Sequence, residues 1–271
     1  MDIRLLVLDV DGTIAGENNF VSPRVQTAIT QVQAKGIEVA IATGRMYCSA
    51  LRFHEAIASR QPLIAYNGAW MQHPLTQTVV RHSPLTESLA MGLLDYFEQP
   101  EWRSQLDVHI YHNDQLYVRE ITPRTINYTA RSGISVYPVG DLRPLLAQQV
   151  TKMLALSDDT IAIAQLYQQL KQQYSHEQLY ITQSTPTFVE ATQAQVNKGK
   201  AVQFLTEHYL NYQPEQVMAI GDNWNDAEML EYAGLPIVMG NAPEGLKKLA
   251  TWVAPDVEAD GVAVALEKFL L

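Results

Sequence analysis

The chain has 271 residues, enough for one large domain or two smaller ones, and 47% hydrophobic with 18% charged residues is the composition of a packed globular protein, not a disordered one. Lys and Arg number 19 against 29 Asp and Glu, a formal net charge of −10 that argues against a general nucleic-acid or anionic-membrane surface and leaves an anionic ligand only where a metal and a few cations make the site locally positive. The lone Cys48 excludes an internal disulfide, and no stretch approaches the roughly 20 apolar residues that span a bilayer, so a cytoplasmic protein without membrane or nucleic-acid partners is expected.

The first element is the apolar run Leu5 to Val10, interrupted only by Asp9 and too short and acidic for a signal peptide. It reads as a strand buried on both faces of a parallel sheet. Asp9 and Asp11 follow at its carboxyl end, where open α/β sheets bind ligands, and strand alternation places i and i+2 on one face. Gly12 lets the backbone turn. Asp-Gly alone is an ordinary strand ending. Two like charges this close need a cation or a shared proton, so D-x-D-G-T predicts a metal site, an acid/base pair, or both.

Ser22 and Pro23 start a helix that runs to about Lys35, with Val25, Ala28, Ile29 and Val32 at helical spacing and Gly36 ending it. A second buried strand, Ile37 to Ala42, ends in Thr43-Gly44-Arg45, a hydroxyl and backbone amides that suit an anion. A third run, PLIAYNGAW, ends in Asn67-Gly68, and MQHPLTQTVV reads as a short hairpin. From Pro84 to Glu190 the pattern changes: helix 85–97, strands DVHIYH and QLYVRE about Asn113-Asp114, helix Pro123 to Arg131, strand Val150 to Leu156, helix Thr160 to Tyr174, and strands LYITQ and TFVEA. These antiparallel signals mark an inserted α+β domain at 84–190 between core segments 1–83 and 191–271.

The parallel pattern returns with helix Lys198 to Tyr209, strand QVMAIGD, helix Trp224 to Tyr232, strand LPIVMG, helix Pro243 to Lys248, strand TWVAP and helix Gly261 to Phe269. GDNWND brings Asp222, Asn225 and Asp226 to another strand tip. The tips then supply Asp9, Asp11, Asp222 and Asp226, the Thr43 hydroxyl and Lys198, with no His or Cys. Oxygen donors suit Mg²⁺, and a hard cation beside a hydroxyl, a lysine and helix N-termini suits phosphate. One carboxylate of the first pair can attack phosphorus, forming an aspartyl phosphate, while the other protonates the leaving oxygen.

Four motifs in order, DVDGT (Asp9 to Thr13), ATGR (Thr43), NKGKA (Lys198) and GDNWND (Asp222 to Asp226), make the chain resemble the haloacid dehalogenase superfamily and its Cof-like sugar-phosphatase branch. The resemblance covers essentially the full length. It implies a Rossmann-like parallel-sheet core with an inserted α/β cap, and a Mg²⁺-dependent phosphatase acting on a small phosphorylated metabolite. Asp9 would be nucleophile and metal ligand, Asp11 the general acid/base with its main-chain carbonyl on the metal, and Asp222 the third ligand. Thr43 and Lys198 would hold the phosphoryl group, Asn225 would contact phosphate, and Asp226 would orient the metal shell or Lys198. Gly44, Arg45, Asn67, Gly68 and Asn241 would lie at the substrate. Lys200 replaces Lys198 only if the helix register slips. A phosphomutase and, from another class, a phospho-accepting signalling domain remain alternatives; Asp11 and the insert count against the latter. His109 and His112 read as surface histidines on opposite strand faces, and Cys48 as a buried helix residue.

Overall fold

A computed structural model describes residues 2–130 and 132–271. In chain order the elements are β1 (Leu5–Leu8), α1 (Pro23–Ala34), β2 (Glu38–Ile41), α2 (Tyr47–Ala56), β3 (Leu63–Ala65), β4 (Trp70–Gln72) and β5 (Val79–His82). There follow α3 (Glu87–Phe97), β6 (Asp107–His112), β7 (Gln115–Val118), α4 (Pro123–Ala130), β8 (Val136–Pro138), β9 (Val150–Leu156), α5 (Thr160–Gln173), β10 (Leu179–Thr185) and β11 (Phe188–Gln193). The chain closes with α6 (Lys198–Gln203), β12 (Val217–Gly221), α7 (Ala227–Tyr232), β13 (Leu235–Val238), α8 (Glu244–Lys247), β14 (Trp252–Val253) and α9 (Gly261–Phe269).

These elements form two compact units, Met1–Arg81 with Asn197–Leu271, and His82–Val196. The sequence pattern places the divisions at 83/84 and 190/191. The first falls two residues earlier, and the second falls later because β11, with Ala191 registered against Met153 of β9, continues to Gln193, so the last strand of the insert outruns its apolar pattern.

In the first unit a five-stranded sheet has the order β14-β13-β12-β1-β2, and every pair in it is parallel. All four residues of β1 are fully buried, which explains the continuous apolar run. Leu5 and Val7 pack on one face with Val202 and Leu205 from the α6 segment and with Met229 and Leu230 of α7. Leu6 and Leu8 project to the other face by alternation. Each fully buried leucine contributes about 1.5–3 kcal/mol.

The third strand departs from the expected pattern. β3 pairs antiparallel with β4 in a separate three-stranded sheet, β3-β4-β5, and joins the main sheet through the parallel bridge Ala42 to Ile64. A short apolar run does not specify which sheet it joins.

The second unit is a six-stranded sheet, order β10-β11-β9-β6-β7-β8, antiparallel except between β7 and β8. One face carries Ile110, Met153, Ala155, Val189 and Ala191, packed with apolar residues of α3 and α5. His109, expected at the surface, is fully buried, its Nε2 3.1 Å from Thr125 Oγ1 on α4, and burial lowers its pKa to about 3. His109 lies on the opposite face of the sheet from Ile110, and the α4 helix against it is what the strand pattern cannot show. Cys48, expected to be buried, is exposed on α2. The expected helix end at Arg131 lies outside the described residues.

Candidate active site

β1 leaves the sheet at Asp9, whose backbone N–H still donates to Ile220 O at 3.0 Å. The chain then turns tightly, with the Val10 carbonyl accepting from the N–H groups of Thr13, Ile14 and Ala15. Gly12 has φ +79°, and a Cβ there would lie 2.1 Å from Asp222 Oδ2. The turn and the close approach of the neighbouring strand tip thus both require glycine.

Next to β1, β12 delivers Asp222. Asp226 Oδ2 accepts the backbone N–H groups of Asp222 (2.9 Å) and Asn223 (3.1 Å), fixing the loop after the strand. Its Oδ1 accepts from Lys198 Nζ at 2.6 Å, and the same ammonium donates to Asp9 Oδ1 at 2.5 Å. Lys198 is the first residue of α6, placed there by Asn197, whose side chain accepts from the Lys200 N–H. Lys198 is fully buried and Lys200 exposed, so the register is the one that the motif implies.

Carboxylate oxygens of Asp9, Asp222 and Asp226 lie within 4.8 Å of one another. At full ionisation three carboxylates and one ammonium leave two negative charges, the complement of one divalent cation. Burial, followed by Asp226, pushes the Asp9 carboxyl well above the usual range against the pull of Lys198. Burial and then Asp226 push Asp222 up to about 6. Burial works against the Lys198 ammonium, but Asp226 and Asp9 outweigh it and hold its pKa above the usual lysine value. Hard oxygen donors strained by mutual repulsion are a fit for a bound metal cation. Both oxygens of Asp226 are taken, by Lys198 and by the backbone N–H groups of Asp222 and Asn223.

Asp11 is not in this cluster. Its carboxylate pairs with Arg45, Nε to Oδ2 at 2.7 Å and Nη2 to Oδ1 at 2.6 Å. Strand alternation fails as a guide here because regular strand ends at Leu8 and Asp11 belongs to the turn. Arg45, expected toward the substrate, also donates from Nη2 to Asn19 Oδ1 at 2.6 Å and stacks over Phe53.

Thr43, at the tip of β2, is buried, and its Oγ1 accepts from the Arg45 N–H at 3.2 Å. Its carbonyl accepts from the Asn67 N–H, and Asn67 Oδ1 accepts from Asn225 Nδ2 at 3.0 Å, so Thr43, Gly44, Asn67 and Asn225 form one connected group. Gly68, at φ +101°, lies under the start of α6, where a Cβ would meet the Asn197 carbonyl at 2.7 Å. That is a packing role. Asn241 likewise has its partners inside the protein: Nδ2 donates to Gly12 O (2.9 Å) and Asp222 Oδ2 (3.1 Å), and Oδ1 accepts from the Val257 N–H.

Two residues without a sequence-assigned role join the site. Thr13 Oγ1 lies 3.2 Å from Asp222 Oδ1 and 3.5 Å from Asp9 Oδ2, and its place in D-x-D-G-T was the available signal. Asn19, in the polar loop, had none.

A family model described as haloacid dehalogenase-like hydrolase matches residues 6–266. The chain belongs to the haloacid dehalogenase-like hydrolases. This bears out the resemblance carried by the four motifs, and as a family member the chain is a hydrolase whose relatives are named phosphatases of small phosphorylated compounds. Among them, the 5-amino-6-(5-phospho-D-ribitylamino)uracil phosphatase of Bacillus subtilis strain 168 is 28% identical over 98% of this chain and 97% of its own length. The HMP-PP phosphatase of Cronobacter sakazakii is 30% identical over 91% of this chain and 88% of its own. A solved haloacid dehalogenase-like hydrolase from Bacteroides thetaiotaomicron superposes with a TM-score of 0.88 at 22% identity, covering 99% of this chain and all of that one, and so shares the fold. Among the described residues no helix is long and apolar enough to cross a membrane.

Proposed function

We propose that this haloacid dehalogenase-like hydrolase is a Mg²⁺-dependent phosphatase that hydrolyses a small phosphorylated metabolite, a sugar phosphate, through an aspartyl phosphate on Asp9. The observation that carries the proposal is the buried contact of Asp9 with Lys198 beside Asp222 at a single sheet edge. Only one carboxylate of the set combines a strand-tip position with one oxygen on an ammonium and the other near a hydroxyl, which is how a nucleophile is held in one orientation.

Asp9 and Asp222, with the main-chain carbonyl of Asp11, would hold the Mg²⁺, which would neutralise charge on the phosphoryl oxygens. Lys198 and Thr43 hold the phosphoryl group, with Asn225 at its edge; Asp226 fixes Lys198. In the first step an Asp9 oxygen bonds to phosphorus, the phosphorus–oxygen bond to the leaving group breaks, and protonated Asp11 gives its proton to that oxygen. In the second, Asp11 takes a proton from a water that attacks phosphorus, and the bond to Asp9 breaks to release inorganic phosphate. Asn241 and Thr13 hold Asp222 in place. We assign this chemistry to 1–83 and 191–271, and selection of the leaving group to the insert at 84–190, because the two named relatives are both phosphatases yet are named for different compounds.

Phosphate release over a panel of sugar phosphates tests this reading. Turnover is expected with Mg²⁺, lost with EDTA and lost in Asp9→Asn. Undiminished turnover by Asp9→Asn overturns it.

A further inference from the structure

The turn GDNWND carries one large apolar side chain among its acids and amides. Trp224 opens the short 3₁₀ turn 224–226, two residues after Asp222, so their Cα atoms are at most about 7 Å apart. Its backbone N–H donates to Asn223 Oδ1 at 2.8 Å, while the residue as a whole is 56% exposed. The other three tryptophans are covered or paired: Trp70 and Trp102 are buried, and Trp252 packs edge-on to Phe269 with ring centroids 5.8 Å apart. Among the described residues the Trp224 indole has neither a ring partner nor a hydrogen bond.

The fold fixes where that ring lies. A Cβ on Gly245 would be 2.9 Å from Trp224 Cζ2 and Cη2, so the six-membered ring of the indole rests on the bare backbone of α8. Four residues before Gly245, Asn241 donates to Gly12 O and Asp222 Oδ2, which ties the segment carrying α8 to the carboxylate cluster. The residues after Trp224 are held as well, Asn225 by Asn67 and Asp226 by Lys198. The indole therefore stands beside the cluster on the β13 side, seated at one edge and otherwise in water.

We propose that Trp224 is a specificity residue for cyclic sugars: a pyranose phosphate lays the C–H face of its ring on the indole while its phosphoryl group is held at Asp9, Lys198 and Thr43. The inference rests on the phosphatase reading above. A single exposed apolar residue calls for no function on its own; this one is seated, unpartnered and next to the reacting groups. A pyranose is apolar over its C–H face and polar around its edge, so an aromatic surface takes the face out of water while the hydroxyls keep their hydrogen bonds. An open-chain polyol phosphate has comparable hydroxyls but no rigid face. The Gly245 seat orients the indole in advance, so little side-chain freedom is lost on binding. Because the contact is the same before and during phosphoryl transfer, it lowers KM and leaves kcat unchanged.

Steady-state kinetics on two matched pairs tests this: glucose 6-phosphate against sorbitol 6-phosphate, and mannose 6-phosphate against mannitol 1-phosphate, where reduction of the sugar abolishes the ring. Trp224→Ala is expected to raise KM for the ring sugars about ten-fold with kcat nearly unchanged, and to leave the open-chain partners within about two-fold. Trp224→Phe should restore most of the loss. Gly245→Ala puts a better helix former where the ring rests, and should show the same ring-selective rise in KM without loss of stability. Equal losses on ring and open-chain substrates, or no loss on the ring sugars in Trp224→Ala, would overturn the role of Trp224 while the phosphatase reading stands. So would wild-type protein that hydrolyses p-nitrophenyl phosphate but not the ring sugars, or that prefers their open-chain partners. Hydrolysis of no phosphate ester at all is the failure of the phosphatase reading, and takes this inference with it.

Discussion

Arg45 grips Asp11 at two points, on a carboxylate whose side chain is 48% exposed while the arginine is only 11% exposed. The guanidinium, held from behind by Asn19 and Phe53, is the fixed member of the pair, and the carboxylate is the one that can swing. If Asp11 is the proton donor, Arg45 acts through it. Asp11→Asn should lower turnover of a sugar phosphate by about a hundred-fold or more, and turnover of p-nitrophenyl phosphate much less, since that leaving group needs little protonation. Arg45→Ala should show the same leaving-group dependence, and the double variant should be no slower than Asp11→Asn alone. Additive losses in steady-state kinetics would separate the two residues.

Lys198 stands between two buried carboxylates, so its removal and that of Asp9 should differ in stability. Lys198→Met leaves Asp9 and Asp226 buried without their cation, a loss of about 3–5 kcal/mol. Asp9→Asn keeps the Lys198–Asp226 pair and relieves repulsion, so the fold should melt close to the wild-type temperature. Mg²⁺ should recover part of the Lys198→Met loss by binding only the folded state. Thermal melts of both variants with and without Mg²⁺ check this.

The pKa of about 6 at Asp222 sets a pH window. In metal-free protein the folded state holds a proton on Asp222 between the ordinary carboxylate range and pH 6, where the unfolded state has lost it. Stability from this group is therefore full at low pH and declines as pH rises through 6. Metal binding has the opposite sign, because the ligand must lose that proton. Affinity for Mg²⁺ should fall by up to about ten-fold per pH unit below 6. Titrations at pH 5, 6 and 7 would show it, and a pH-independent affinity would contradict it.

Gly12→Ala combines positive φ with a clash against Asp222 Oδ2. A strained backbone of this kind costs about 1–3 kcal/mol, and displacement of Asp222 should weaken metal binding as well. Gly36→Ala is the control, since Gly36 has φ +82° but nothing near its Cβ position. It should lose stability but not Mg²⁺ affinity.

Where a segment's own pattern decides its structure, the sequence was legible. β9 occupies Val150–Leu156 and α9 Gly261–Phe269, as their apolar spacing predicts. Ends governed by distant contacts were not. The helix expected to reach Tyr209 changes after Gln203 into a wider, π-helical turn, and β8 is too short and exposed to register as a strand. The site divides in the same way. Asp9, Thr43, Lys198 and Asp222 follow from strand tips and helix starts. The Asp11–Arg45 and Asn241–Asp222 pairings join residues 34 and 19 positions apart, and no local spacing encodes which partner a tip residue takes.

Stereochemistry at phosphorus tests the central claim most directly. A substrate made chiral at phosphorus with the three oxygen isotopes should transfer its phosphoryl group to an acceptor alcohol with retention of configuration, because attack by Asp9 and then by the acceptor inverts the centre twice. Inversion would mean a single displacement, with no covalent intermediate on Asp9.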